Sequence, residues 1–243
     1  MPPPKRRGPQ PQDAALFGAE ALPVLRSAVE ELSWLFSHGY ADTSSLKLVG
    51  DRHQLVARQR QAVLRSACSD EAKASRECRR LPISEIRDRR LAIDGFNLII
   101  TLETLLGGGV LLKGRDGCVR DLASLNGNYR LLEDTAAVID LVYRGLERLR
   151  PALVHWWLDE PVSNSGQIKA MLESAGAEFE FPTLVSLVPD PDKALLEAGS
   201  VAFDVIATAD SGILSRCGPW VNLASYLIAT VAPEAPVMAL GDG

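Results

Sequence analysis

Several features that would settle a function early are missing from this chain. Its four cysteines, Cys68, Cys78, Cys118 and Cys217, form no C-x-x-C pair. Zinc-ligand spacing and a small disulfide framework are therefore both absent, and reduced, mostly buried thiols are expected. No apolar run approaches the roughly 18 to 20 residues of a membrane-spanning helix. The stretch Val231 to Val237 is strand-sized and broken by Pro233, Glu234 and Pro236, so no membrane partner is expected. Met1 to Gln12 is rich in proline and carries Lys5, Arg6 and Arg7, with no apolar segment after it as a secretory signal would have. Residues 1–12 read as a short, disordered basic arm, and cytoplasm is the expected address. Gly107-Gly108-Gly109 lacks the G-K-[ST] ending of a P-loop, which argues against nucleotide hydrolysis of that type. No Ser/His/Asp spacing stands out.

What is present divides in two. The 243 residues can bury a sizeable core as one large domain or two modest ones. The net charge of −5 conceals a split of +5 over residues 1–90 against −10 over 91–243. Such asymmetry suggests parts with different partners: phosphate backbones for the basic half, solvent or a cation for the acidic half. Residues 13–88 read as helical. Asp13 can cap a helix over 14–21, and Pro23 suits the first turn of the next. Leu25, Ala28, Val29, Leu32, Leu35 and Phe36 then mark one buried face, closed by Gly39. Helices at 44–50 and 56–67 follow in a helix–turn–helix rhythm. Arg58, Gln61 and Arg65 share a face there that could contact phosphates or bases. An ordinary bundle with a solvated polar face explains the same pattern. Arg76, Arg79, Arg80, Arg87, Arg89 and Arg90 form a charged connector that could also touch nucleic acid.

From residue 89 onward strands alternate with helices. Strands are expected at 91–93, 153–158, 178–188 and 204–207. Helices are expected at 97–106, 119–125, 132–149, 166–174, 194–198 and from 211. That order argues for an α/β domain with a parallel sheet covered on both faces, preceded by a small all-α domain. His155, inside an apolar strand, reads as a packed histidine. The adjacent Trp156 and Trp157 must point to opposite faces of it.

Three strands finish in aspartate: Asp94, Asp159 and Asp210. Ligands of open α/β sheets sit beyond the carboxyl ends of the strands. Carboxylates gathered there either raise their pKa values or bind a cation. Oxygen ligands without His or Cys select Mg²⁺ or Mn²⁺, ions that support phosphodiester cleavage. Each aspartate alone could instead cap the following helix.

Asp94-Gly95-Phe96-Asn97, after an apolar strand and opening a helix, resembles the D-G-[YF]-N motif of NYN-type nucleases in the PIN-like superfamily. Thr208-Ala209-Asp210-Ser211 is similar to that superfamily's T-x-D or S-x-D strand end, and Leu158-Asp159 to its middle element. The resemblance spans about residues 90–230. It implies a PIN-like, Rossmann-like fold, metal-binding roles for Asp94, Asp159 and Asp210, and a catalytic orienting role for Asn97. It also implies a fourth acid, for which Asp121 is the first choice, with Asp116 and Asp204 behind it. The whole chain also resembles an uncharacterised prokaryotic two-domain family, a helical unit fused to such a domain.

Ser163, Asn164 and Ser165 stand before a helix whose N-terminus could attract a phosphate, with Lys169 one turn on; plain capping accounts for them equally. The turn-rich segments Gly114 to Gly117 and Asn126 to Arg130 could present Arg115, Arg120 or Arg130 to a backbone, or be ordinary loops. The expectation is a Mg²⁺- or Mn²⁺-dependent endonuclease, with RNA favoured over DNA as partner and self-association possible. The rival is a nucleic-acid-binding or regulatory protein with a non-cutting PIN-like domain. A small-molecule phosphatase would want D-x-D after the first strand, where Phe96 stands instead.

Overall fold

The computed structural model describes residues 6–123 and 129–241, with residues 198–201 described by backbone alone. The chain opens with the helices α1 (Asp13–Leu16), α2 (Leu22–Ser37), α3 (Asp42–Arg52), α4 (Ala57–Ser66) and α5 (Asp70–Arg79). The stripe Leu25, Ala28, Val29 and Leu32 of α2 is buried, as its spacing requires. It packs on Val49, Leu55, Ala62 and Val63 and also on Leu112, Leu122 and Leu240 from beyond residue 90. The helices thus share their core with the second half of the chain.

A 3₁₀ turn, Ile83–Ile86, leads into β1 (Arg90–Asp94) and α6 (Gly95–Gly107). Then come β2 (Leu111–Lys113), β3 (Val119–Asp121), α7 (Thr135–Leu149), β4 (Leu153–Asp159), α8 (Ser165–Gly176) and β5 (Thr183–Val188). The chain continues through α9 (Pro191–Val201), β6 (Val205–Ala207), α10 (Ser211–Leu214), β7 (Trp220–Val221), α11 (Leu223–Val231) and β8 (Val237–Ala239). The main sheet runs β5-β4-β1-β6-β7, with every pairing parallel. Its strands lie in the order 3-2-1-4-5 along the sequence, so the strand order reverses between β1 and β6. A crevice opens at the carboxyl ends of such a pair. Those ends here are Asp94 and the segment Thr208 to Asp210, so topology alone puts the first and third strand-end aspartates side by side. A smaller sheet, β3-β2-β8, lies against the helices.

Several elements differ from expectation. A helix is expected at 119–125; of its described residues, Val119 to Asp121 form strand β3, paired antiparallel with β2, and residues 124–125 lie outside the described residues. Three-residue strands carry too little periodicity to be distinguished from a helical turn. The basic connector contains a full helix, α5, opened by a Ser69 side chain that accepts from Ala72 N at 3.1 Å. Strands β2, β7 and β8 and helix α11 have no counterpart in the expected pattern. In place of a free arm, Arg7 reaches Glu103, which is 0% exposed, at 2.7 Å. Arg6 pairs with Asp134 at 3.2 Å. The glycine run explains the path: Cβ atoms on Gly107 and Gly109 would stand 2.6 and 2.7 Å from Arg7 backbone atoms. Gly108 closes α6 at φ +72°, a left-handed cap that glycine adopts without strain. Lys5 and residues 126–128 of the Asn126 to Arg130 turn lie outside the described residues.

Candidate active site at the strand ends

Asp94 ends β1 and is 5% exposed. Its side chain makes no capping bond to α6. Instead Oδ2 accepts from Asn97 Nδ2 at 2.7 Å and from Thr208 Oγ1 at 2.8 Å. The D-G-F-N spacing explains the first bond, since residues three apart at a helix start face the same way. Gly95 is needed because a Cβ there would stand 2.5 Å from Leu158 Cδ2 and 2.8 Å from the Trp157 carbonyl. The Thr208 hydroxyl also accepts from Asp210 N at 3.0 Å, so one buried hydroxyl ties two strand ends together. Thr208 opens the T-x-D strand end, and the motif by itself implies no role for its hydroxyl. Asp210 does cap its helix, with Oδ1 accepting from Gly212 N at 2.7 Å and Ile213 N at 3.0 Å.

Burial, followed by the charges of Asp210 and Asp192, pushes the Asp94 carboxyl up to about 7, against the pull of its two hydrogen bonds. Asp192, in the first turn of α9, is the acid that sequence reasoning missed. Its carboxyl is raised by burial and then by Asp210, Asp190 and Asp159. Asp159 is raised by burial and by Asp190. The available signal was Asp190-Pro191-Asp192, acids directly after a strand at a helix start. Among the described residues, no three His, Cys, Asp or Glu side chains are grouped to enclose a metal ion. The donor chemistry still suits Mg²⁺ or Mn²⁺, which take one or two carboxylates and keep several waters. Both internal bonds of Asp94 converge on Oδ2 and both of Asp210 on Oδ1, leaving the second oxygen of each outside these contacts.

A cleft of about 670 Å³ adjoins this edge, walled by Asn97, Ala209 and Asp210 on one side and by α2, α4 and α5 on the other. Asn97 and Ala209 also line a cavity of about 10 Å³ that touches Asp94, room for a single water at most. Asp121, the expected fourth acid, lines the cleft but is already engaged. Its Oδ2 accepts from Thr101 Oγ1 at 2.9 Å and its Oδ1 from Ala123 N at 2.7 Å. Arg65 donates to the Asp121 carbonyl and to that of Ala123, the latter at 2.9 Å.

Beneath the cleft lies a buried Arg–Asp–Arg knot. Arg120 grips Asp116 with two bonds of 2.9 and 2.6 Å, and Arg76 adds a third at 2.6 Å. Burial would raise the Asp116 carboxyl, but Arg120 and then Arg76 hold it down to about 2. Arg120 is itself shifted upward: burial opposes its charge, and Asp116 more than compensates. The same arginines hold the backbone on either side of Asp210. Arg120 Nε donates to the Ala209 carbonyl at 2.7 Å and Arg76 Nη2 to that of Ser211 at 3.2 Å. Arg79 donates to the Leu214 carbonyl at 2.8 Å and to that of Cys217.

Other expected contacts are engaged elsewhere. Arg58 forms two bonds, of 2.6 and 2.9 Å, to the buried Asp13, so it is not an outward phosphate contact. Ser163 Oγ and Asn164 Nδ2 donate to the Tyr129 carbonyl at 3.0 and 2.7 Å, and Ser165 Oγ to that of Glu160 at 3.2 Å. Lys169 faces Glu173 at 3.6 Å. These four residues do not line the cleft, and their donors serve the protein's own carbonyls and carboxylate. Arg130 is exposed and lines a separate cavity of about 280 Å³ with Arg6, Arg7 and Arg58. Arg115 bonds the Cys68 carbonyl at 2.9 Å. Asp204 pairs with Arg90 at 3.1 Å, at the opposite end of the sheet from the acids. His155 bonds Ser186 Oγ at 2.8 Å and stacks on Trp157, as a packed histidine would.

The fold and site define a parallel α/β protein with an acidic strand-end centre facing a helical wall. Over residues 83–226, more than half of the chain, the sequence matches the family described as domain of unknown function DUF5616, and the protein belongs to that family. Residues 24–79 match the family described as protein of unknown function DUF434. The chain is similar to uncharacterized protein MJ0935 of Methanocaldococcus jannaschii, 26% identical over 190 residues that cover 78% of this chain and 88% of the relative. No solved structure matches. Among the described residues, no helix is long and apolar enough to cross a membrane.

Proposed function

We propose that the protein is a Mg²⁺- or Mn²⁺-dependent phosphodiester hydrolase, a nuclease acting on RNA in preference to DNA, in the cytoplasm. The observation that carries this reading is Asp94, buried at the sheet's switch point, with Asn97 and Thr208 on one oxygen and the charges of Asp210 and Asp192 nearby. A folded chain keeps a desolvated, like-charged carboxylate at a cost, and such perturbed acids in a crevice mark functional sites. A bound divalent ion would supply Lewis-acid activation of water and neutralise phosphate oxygens. Asp94, Asp210 and Asp192 would hold it, while Asn97, exposed at the cleft, orients a phosphate or a water. Thr208 fixes the Asp94 carboxylate and the Asp210 backbone relative to each other.

The test is cleavage of RNA by purified protein with Mn²⁺, compared between wild type and Asp94→Asn. No cleavage by wild type, together with no calorimetric Mn²⁺ binding, would sink the reading. One observation favours the rival, a nucleic-acid-binding protein that does not cut. Asp121, the expected fourth acid, has both oxygens satisfied internally. Binding of substrate with intact recovery would then be the result.

A further inference from the structure

The cleft beside Asn97 and Asp210 is not a basic groove. The cations among its lining residues are Arg65, Arg76 and Arg120, against Asp42, Asp121 and Asp210. All three arginines are engaged by protein carbonyls or carboxylates. Little positive charge is left for a phosphate backbone.

The opposite wall offers different chemistry. Tyr40 lines the cleft and is 57% exposed, and the half-buried Phe36 lines it too. The Tyr40 backbone is fixed by the end of its helix. The end of α2 forms a Schellman motif, with Gly39 N bonding the Phe36 carbonyl and Tyr40 N the Leu35 carbonyl, both at 3.1 Å. Gly39 takes the left-handed turn at φ +78°. An apolar residue at the Tyr40 position of this motif commonly folds back on the helix. Here the ring is left largely in solvent, at the mouth of a cleft whose far wall is the candidate catalytic edge.

From this arrangement we infer that Tyr40, backed by Phe36, is a stacking platform for an unpaired nucleobase, supplied to the strand-end centre by the helical region. The inference rests on the proposed nuclease reading for its ligand class. It adds that the helical wall holds the substrate through a base's flat face rather than through phosphate charge. Stacking of this kind is sequence-tolerant and requires the base to be out of a duplex.

The experiment is fluorescence anisotropy with labelled single-stranded oligonucleotides in EDTA, which separates binding from metal and cleavage. Wild type should bind a mixed-sequence oligonucleotide with a shallow salt dependence. An oligonucleotide of abasic sites, or a blunt duplex, should bind at least tenfold more weakly. Tyr40→Ala should weaken binding by about 10- to 100-fold, the range for one stacked base, and Tyr40→Phe should restore it. Tyr40 is exposed, so an unchanged melting temperature checks that the variant folds. Equal binding of abasic and normal strands, an unaffected Tyr40→Ala, or a steep salt slope in wild type would each overturn the platform, and so would no binding in EDTA. Failure of both Mn²⁺ binding and cleavage, with Tyr40-dependent oligonucleotide binding intact, would remove the nuclease reading and leave the platform standing.

Discussion

Asp94 and Asp116 follow neighbouring stretches of the same chain and are almost equally removed from water, 5% and 7% exposed. Burial pushes both carboxyls upward, yet one is held at about 7 and the other at about 2. The neighbours decide. Asp94 meets an amide, a hydroxyl and the charges of two further acids. Asp116 meets two guanidinium groups. A buried carboxylate between arginines is a saturated structural joint, complete as it stands. One among other carboxylates has unmet demand for positive charge, which a cation or a proton can supply. Two buried aspartates can therefore be sorted into joint and site by the sign of what surrounds them.

Breaking the joint should give the largest effect. Asp116→Asn leaves Arg76 and Arg120 buried without a counter-charge, and removing one partner of such a group costs about 3–5 kcal/mol. Urea denaturation at pH 7 checks this, and a loss below about 1 kcal/mol would show that the joint is not acting as one. Breaking the site should have the opposite sign. Asp94 titrates higher in the folded chain than its ordinary value of 3.8, so the folded state holds the extra proton between about pH 4 and 7. Stability contributed by this group is therefore full at low pH and falls as pH rises through that window. Asp94→Asn keeps an oxygen for Asn97 and Thr208 and removes the charge. It should stabilise the protein by about 2–4 kcal/mol at pH 8, with the gain vanishing below pH 4. Denaturation curves at the two pH values would show it, and a loss at pH 8 would refute the like-charge picture.

A smaller effect concerns the cation. If Mn²⁺ replaces the proton on Asp94, calorimetric affinity should be flat above pH 7 and drop about tenfold per unit below it. An affinity indifferent to pH 5–8 would place the ion elsewhere. Smallest of all should be Asp159→Asn. Asp159 is half-exposed and feels Asp190 rather than Asp94, so its loss should weaken Mn²⁺ binding by less than tenfold. A loss as large as that from Asp94→Asn would make it a direct ligand.

The charge split along the sequence has a related outcome. Part of the excess arginine of the first half is taken up by acids of the second. Arg7, Arg65, Arg76 and Arg90 pair with Glu103, Asp121, Asp116 and Asp204 of the second half. Helical periodicity correctly marked the apolar stripe of α2. It could not show that Arg58 turns to Asp13 or that Arg76 turns inward, because a guanidinium on a long stem reaches whichever acid the tertiary fold brings near.

Local rules settled what depends on neighbours in sequence. The strand–aspartate–helix junctions at Asp94 and Asp159, the glycine closure of α6 and the parallel order of the main sheet follow from periodicity, turn chemistry and the alternation of strands with helices. The D-G-F-N spacing also placed Asn97 beside Asp94. Tertiary structure alone decided the rest: that Thr208 bridges two strand ends, that Asp192 joins the acids, and that Asp116 is a joint. It also made the short strands β2, β3 and β8 a surface for the helices and brought Tyr40 and Asp210 to one cleft. The physical reason is range. Backbone conformation and helix faces are set within a turn or two of chain, whereas a carboxylate's proton affinity depends on charges and water within several ångströms in space. Those neighbours come from segments as far apart as Asp94 and Thr208.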